Sequence, residues 1–354
     1  MPDSRSTHRT PLHEFQLITH LRRRFGQTGS SVVRGIGDDA AVITTQKGRQ
    51  LVLTTDLLVE GVHFTRTTAS FEDIGYKSAA ANLSDIAAMG ASPDYALVSL
   101  AIPSSLTPSD IHRFYRGFMM ACRPYGVHLV GGDTSSSYQD LFVNITLTGS
   151  VAAGRAIMRD GARAGNLLYV TGTLGDSLAG LKLLSSRKRA KTRSMRSIGE
   201  TRLIRRHLRP SPRVEIGHLL SAHRLATAAI DVSDGLSGDL RHICTQSGVG
   251  VEVDAQALPL SSELRTYARV HAMDPVAIAL QGGEDYELLF TVSPHNRSKL
   301  LERCRQMTCP VSCIGIIRPK AFGVRLKDKA GAMRRLPEIS YRHFQAVSQR
   351  REVS

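Results

Sequence analysis

Apolar positions along this chain repeat with two different periods. Leu12, Phe15, Ile18, Leu21 and Phe25 recur at three- and four-residue spacing, which predicts an N-terminal helix. Val42 and Leu51 to Thr55 read as strands separated by a turn at Lys47-Gly48. A run from Phe71 to Met89 predicts a long helix that stops at Gly90. Tyr95 to Ile102 is a predicted strand. Thr107-Pro108-Ser109-Asp110 then opens a helix with a hydroxyl at the N-cap, proline at the first helical position and an acid in the first turn. Val127 to Val130 and Leu141 to Val151 are predicted strands. After Gly154 the pattern restarts: a strand over Leu167 to Val170, a helix over Asp176 to Leu184, a Ser211-Pro212 cap before a helix from Val214, a strand over Ala228 to Val232, a helix from Leu236 to Gln246, and strands over Glu287 to Val292 and Val311 to Ile317. The expected class is α/β (α+β), with an N-terminal domain over 1–153 and a C-terminal domain over 154–354.

Length and composition narrow this picture. At 354 residues the chain suits two domains. It has no apolar run of membrane-spanning length, and the segment Met1 to Thr10 lacks the apolar core of a secretory leader. Five cysteines, at 122, 244, 304, 309 and 313, include no CxxC pair, so neither zinc nor a disulfide framework is expected. A reducing cytoplasm fits best. The net charge of +15 is concentrated: eleven Lys/Arg lie between Arg187 and Arg213 against one acid, Glu200. Such a run suits a polyanion partner. It holds no aromatic residue to stack on bases, so a solvated basic insertion, about 185–206, is the expectation and a nucleic-acid partner is not.

Candidate chemistry sits in three acidic motifs: Gly35-Ile36-Gly37-Asp38-Asp39, Gly131-Gly132-Asp133-Thr134 and Asp231-Val232-Ser233-Asp234-Gly235. The second and third follow apolar runs, and Asp56 closes Leu51-Val52-Leu53-Thr54-Thr55 in the same way. Carboxylates past strand ends converge at one edge of a sheet, and several together repel unless cations sit among them. Hard oxygen ligands select Mg²⁺ or Ca²⁺. The expectation is a multi-Mg²⁺ site that holds a polyphosphate. Each motif alone has a plainer reading: a turn at Gly37-Asp38-Asp39, a helix cap at Thr55-Asp56, a tight turn at Gly131-Gly132, and a solvent-facing acid at Asp85. Gly282-Gly283-Glu284-Asp285-Tyr286 is a further glycine–acid turn. The chain has no Walker A loop and no GxGxxG, so a bound ATP would be held through Mg²⁺ and carboxylates.

Taken in order, GIGDDAAV (35–42), TTDLLVEGVHF (54–64), NLSDIAAMGA (82–91), GGDT (131–134), TGTLGDSLAG (171–180), RHLRPSPR (206–213), IDVSDGLSGDL (230–240), GGEDYELLFT (282–291) and SYRHF (340–344) resemble the thiamine-monophosphate kinase family. That family belongs to the aminoimidazole ribonucleotide synthetase and selenophosphate synthetase superfamily. The resemblance implies ATP-dependent conversion of thiamine monophosphate to thiamine diphosphate, an active-site cleft between two domains, and a homodimer joined through N-terminal strands. It implies magnesium ligation by Asp39, Thr54, Thr55, Asp56, Asp85, Asp133, Asp231 and Asp234. It also implies nucleotide contacts from Tyr115, Gly132, Asp133, Arg159 and Ser233, and a thiamine phosphate pocket with His63, Glu284 and Tyr341. Ser135-Ser136-Ser137 stands where family members often carry an arginine. The acceptor is itself a phosphate with a second pKa of roughly 6, mostly ionised at neutral pH. Direct in-line transfer with no dedicated catalytic side chain is therefore expected. Two other readings are another ATP-dependent reaction of the superfamily and a basic nucleic-acid-binding protein on a vestigial nucleotide fold. Selenophosphate synthesis would want a reactive Cys near the N-terminus, whereas the first here is Cys122.

Overall fold

The computed structural model describes residues 32–34, 38–189 and 197–341. The helix expected over 12–25, Gly35 to Gly37, and part of the basic stretch lie outside the described residues. Six strands, β1 (Val32–Arg34), β2 (Ala41–Gln46), β3 (Arg49–Val59), β4 (Ser92–Pro103), β5 (His128–Ser137) and β6 (Phe142–Ala152), form one sheet in the order β1-β2-β3-β6-β4-β5. Only β4 and β5 run parallel. Seven more, β7 (Leu167–Thr171), β8 (Ala226–Asp231), β9 (Val249–Asp254), β10 (Leu288–Val292), β11 (Val311–Pro319), β12 (Val324–Lys327) and β13 (Met333–Arg335), form a second sheet ordered β13-β12-β9-β11-β7-β10-β8. The helices are α1 (Phe71–Ala88), α2 (Pro108–Cys122), α3 (Asp176–Arg189), α4 (Ile198–Leu208), α5 (Val214–Ala222), α6 (Leu236–Ser247), α7 (Ser262–Val270), α8 (Pro275–Gln281) and α9 (Arg297–Cys304). Mostly antiparallel sheets combined with helices make this an α/β protein of the α+β kind.

Helix α1 joins the two halves. Ser70 caps it in a reciprocal box with Asp73, and Gly90 ends it at φ +69°. Its small residues let it be buried on nearly every side, against β3, β6, β8, α2 and α5. One core runs through it, from Val52, Ile86 and Leu147 to Tyr169 and Phe290, whose rings stack at 5.7 Å. Paired glycines bring α1 and α2 together: a Cβ on Gly75 would overlap the Phe114 carbonyl, and one on Gly117 the Glu72 carbonyl. Gly117→Ala is expected to lower unfolding stability by about 2–3 kcal/mol, because backbone rather than a flexible side chain must move. Denaturant melts check this, and a change of a few tenths would contradict it.

Three expectations need correction. Gly131 to Thr134 is not a turn after β5 but lies inside it, paired with Leu97 to Leu100 of β4. Gly132 sits at φ +152°, where a Cβ would overlap the Val98 carbonyl, so close strand packing demands this glycine whatever else it meets. Asp56 does not close its strand either: β6 pairs with β3 from Arg49 to Val59, which carries the strand three residues further. Finally, Ser211 does not cap α5. Arg213 holds the N-cap position with no side-chain capping bond to the helix, and the Pro212 carbonyl accepts from the Tyr125 hydroxyl at 3.2 Å. No described helix is long and apolar enough to cross a membrane.

Candidate active site

Strand alternation and helix periodicity aim several acids at one point. On β3, Thr54 and Asp56 share a face, while Thr55 points the other way. Thr55 donates to the Ile145 carbonyl at 3.0 Å, so the structure does not bring its hydroxyl to the acids. On α1, Lys77, Ala81 and Asp85 fall at four-residue spacing along one face. Asp231 is the last residue of β8. Carboxylate oxygens of Asp39, Asp85 and Asp231 lie within 4.8 Å of one another. Thr54 donates to Asp85 at 2.5 Å and Ser84 to Asp231 at 2.8 Å, fixing both carboxylates. Arg159 binds Asp39 through Nε at 3.1 Å and through its terminal nitrogen, and Asp38 stands 3.4 Å away.

A cavity of about 120 Å³ opens beside this cluster, lined by Asp56, His63, Asp85, Asp231, Ser233 and Glu284 among others. Six residues expected at the site therefore line one cavity. The acids there resist ionisation. Burial, reinforced by Asp231, pushes Asp56 up to about 6. Burial, with Asp56 and Asp231 nearby, holds Asp85 well above the usual carboxylate range, and burial also raises Asp231. All-oxygen donors at this spacing suit a hard divalent cation, which would relieve the repulsion.

The segment Gly282 to Glu287 lends Glu284 and Tyr286 to the same cavity. The Glu284 and Tyr286 amides donate to the carbonyls of Ser233 (2.7 Å) and Val232 (2.9 Å). This holds both residues in the left-handed region, at φ +60° and +51°, a strain that costs about 1–3 kcal/mol per residue. Lys77, 3% exposed, pairs with Glu284 at 2.6 Å and donates to the His63 carbonyl at 3.4 Å. Burial alone would raise Glu284, but Lys77 outweighs it and holds the carboxyl below its usual value. His207 approaches Glu284 at 3.4 Å, yet burial beside Lys77 pushes it down to about 3, so it meets Glu284 as a neutral ring. His63 Nδ1 accepts from the Val59 amide at 3.0 Å. Asp285 caps the start of α3, accepting from Gly175 at 2.5 Å and Ser177 at 3.0 Å.

Other expected residues stand apart. Asp234 lies outside the three-carboxylate group. Its carbonyl accepts from the Tyr341 amide at 3.0 Å, which brings Tyr341, 41% exposed, beside it. Tyr115 sits on α2, edge-on to Phe114 at 5.4 Å. Gly132 and Asp133 lie on the exposed strand β5. Asp133 registers with Ser99, Asn144 and Leu57 across three strand spacings, about 14 Å from β3. Lys77, Ser84 and His207 were missed as site residues. Lys77 did carry a signal: like Asp85, it is a charge set among small residues beyond the acidic first turn of its helix.

Comparisons with known proteins cover most of the chain. Residues 37–151 match the family described as AIR synthase related protein, N-terminal domain, and 163–327 match its C-terminal domain. The thiamine-monophosphate kinase of Escherichia coli K12 is 39% identical over 302 residues, 85% of this chain and 89% of that protein. A solved structure, AaThiL complexed with AMPPCP and TMP, superposes with a TM-score of 0.82 at 35% identity, covering 96% of this chain and 100% of that one. The enzyme from Stenotrophomonas maltophilia K279a superposes at 0.72 with 38% identity, covering 90% and 97%. The Bacillus subtilis thiamine-monophosphate kinase is 41% identical over 335 residues, 94% of this chain and 100% of that protein, and the chain belongs to the thiamine-monophosphate kinase family.

Proposed function

We infer that this chain transfers the γ-phosphoryl group of ATP to thiamine monophosphate, giving ADP and thiamine diphosphate. The observation that carries this is the meeting of Asp39, Asp85 and Asp231 within 4.8 Å, beside a cavity that His63 and Glu284 also line. Asp39, Asp56, Asp85 and Asp231 would hold several Mg²⁺ ions, with Asp234 as a further ligand, while Asp133, about 14 Å from β3, would meet the nucleotide through a separate ion. Bound there, magnesium would neutralise the phosphates of donor and acceptor.

The chain's own groups do the rest. Thr54 and Ser84 keep the carboxylates oriented. Arg159, beside Asp39, offers a guanidinium to the ATP phosphates. Ser233, Tyr115, Gly132 and Asp133 complete the nucleotide side. Glu284, ionised and held by Lys77, faces the cationic thiazolium of thiamine, with His63 and Tyr341 beside it. No side chain need remove a proton, since the attacking phosphate is mostly ionised at neutral pH. Positioning and charge neutralisation then supply the rate, and transfer is direct. With γ-labelled ATP and thiamine monophosphate, label is expected in thiamine diphosphate and none on denatured protein. Labelled protein would sink the direct route.

The exposed edge strand β5 presents Leu129 and Val130, next to Tyr95 and Leu97 of β4. An edge of this kind invites strand-to-strand pairing. We propose that it closes a homodimer through the domain 1–153, with 154–354 as the second domain. Sedimentation of wild type as a dimer and of Val130→Lys as a monomer would support this, and a monomeric wild type would refute it.

A further inference from the structure

The basic stretch has a role that the kinase reading does not absorb. Four of its described arginines are ion-paired, and three of these, Arg206, Arg209 and Arg213, are half-buried. Arg202 pairs with Glu263 at 2.6 Å, Arg209 with Asp73 at 2.5 Å, and Arg206 and Arg213 with Glu287 at 2.5 and 2.6 Å. Arg202, Arg205, Arg206 and Arg209, all on α4 or just past it, line a second cavity of about 510 Å³. Tyr76 of α1 forms part of another wall, and the acids lining the cavity are Asp176 and Glu263.

Two donors there lack an acceptor among the described residues. The exposed Arg205 makes no ion pair or hydrogen bond. Arg206, whose terminal nitrogen holds Glu287, keeps a buried Nε with no hydrogen-bond partner, 4.0 Å from Asp176. An unmet buried N–H is costly, so an oxygen-rich anion that draws the Arg206 side chain toward the cavity would gain by filling it. Arg205 and Arg209, four residues apart at the end of α4, both line the cavity together with Tyr76. Guanidinium forks match the paired oxygens of phosphate or carboxylate, and among such anions a phosphate carries up to two negative charges to meet several cations at once. The concave shape and single aromatic ring favour a small anion over a nucleic-acid strand.

We propose that this cavity binds a small phosphate dianion, free or as a phosphate monoester, between Arg205, Arg206 and Arg209. The site is separate from the acidic cavity and does not depend on the kinase reading. Titration calorimetry on the full chain in EDTA without nucleotide tests it, with inorganic phosphate and glycerol 3-phosphate as probes. Without cations the acidic cavity repels both probes. Saturable binding is expected. Stronger binding of inorganic phosphate identifies the free ion as the ligand, and stronger binding of glycerol 3-phosphate identifies a monoester. Arg205→Gln, which breaks no ion pair, is expected to weaken binding about tenfold, and Arg205→Glu further. Asp231→Asn should leave it unchanged. No saturable binding by wild type, equal binding by both Arg205 variants, or loss of binding in Asp231→Asn would overturn the proposal.

Discussion

Asp56→Asn is expected to cut kcat by about a hundredfold or more while making the EDTA-treated protein more stable. Both effects have one origin. Burial beside Asp231 raises Asp56 to about 6, and Asp85 and Asp231 are raised as well. Between the usual carboxylate value and about 6, the folded chain therefore holds more protons than the unfolded one. Raising the pH through that window strips those protons and lowers stability. Asparagine carries no charge to expose, so the variant should escape part of this loss, about 1–3 kcal/mol at neutral pH. It also loses a ligand, so the stabilisation that Mg²⁺ gives the wild type above pH 6 should shrink. Melting curves at pH 5 and pH 7.5, with Mg²⁺ and with EDTA, read all of this. An Asp56→Asn protein with full turnover, or one less stable than wild type in EDTA, would contradict the account.

Glu287→Ala should produce the largest loss of stability. The carboxylate is fully buried and binds Arg206, Arg213 and the Thr171 hydroxyl at 2.5 to 2.6 Å. Burial pushes its pKa up, but Arg213 and Arg206 outweigh that and hold it below the usual glutamate range. Its contribution is thus present at neutral pH and fades as acid protonates it below about 4.5, its unfolded value. Truncation leaves two half-buried guanidinium groups without their common partner, which costs about 3–5 kcal/mol. Glu287→Gln, which keeps the shape and one acceptor, should cost less. Glu287 lies three residues from Glu284, so the alanine variant should also raise KM for thiamine monophosphate more than it lowers kcat. Denaturant melts with steady-state kinetics check both points, and a stability change below about 1 kcal/mol would contradict the first.

The sequence made the ends of long elements legible where their chemistry is local. The Thr107 cap, its proline and Asp110, and the stop at Gly90 all appear in the structure as written in the chain. Short strands such as β12 and β13 were not legible, because four or three residues carry no period of their own and depend on their neighbours. The acidic residues of the site could be read from motifs. Their facing could not: Thr55 turned away because β3 runs straight through it, and Asp133 stayed three strands off because GGDT continues β5 rather than ending it. The ion pairs of Lys77 and of Arg206 and Arg213 link positions 74 to 207 residues apart, a distance at which no local pattern speaks.

The most direct test is to incubate the purified protein with ATP, MgCl₂ and thiamine monophosphate and to quantify ADP and thiamine diphosphate together. Equal formation of both, abolished by EDTA and absent in Asp231→Asn, is the predicted result. ADP without thiamine diphosphate, or thiamine diphosphate formed equally well in EDTA, would contradict the assignment.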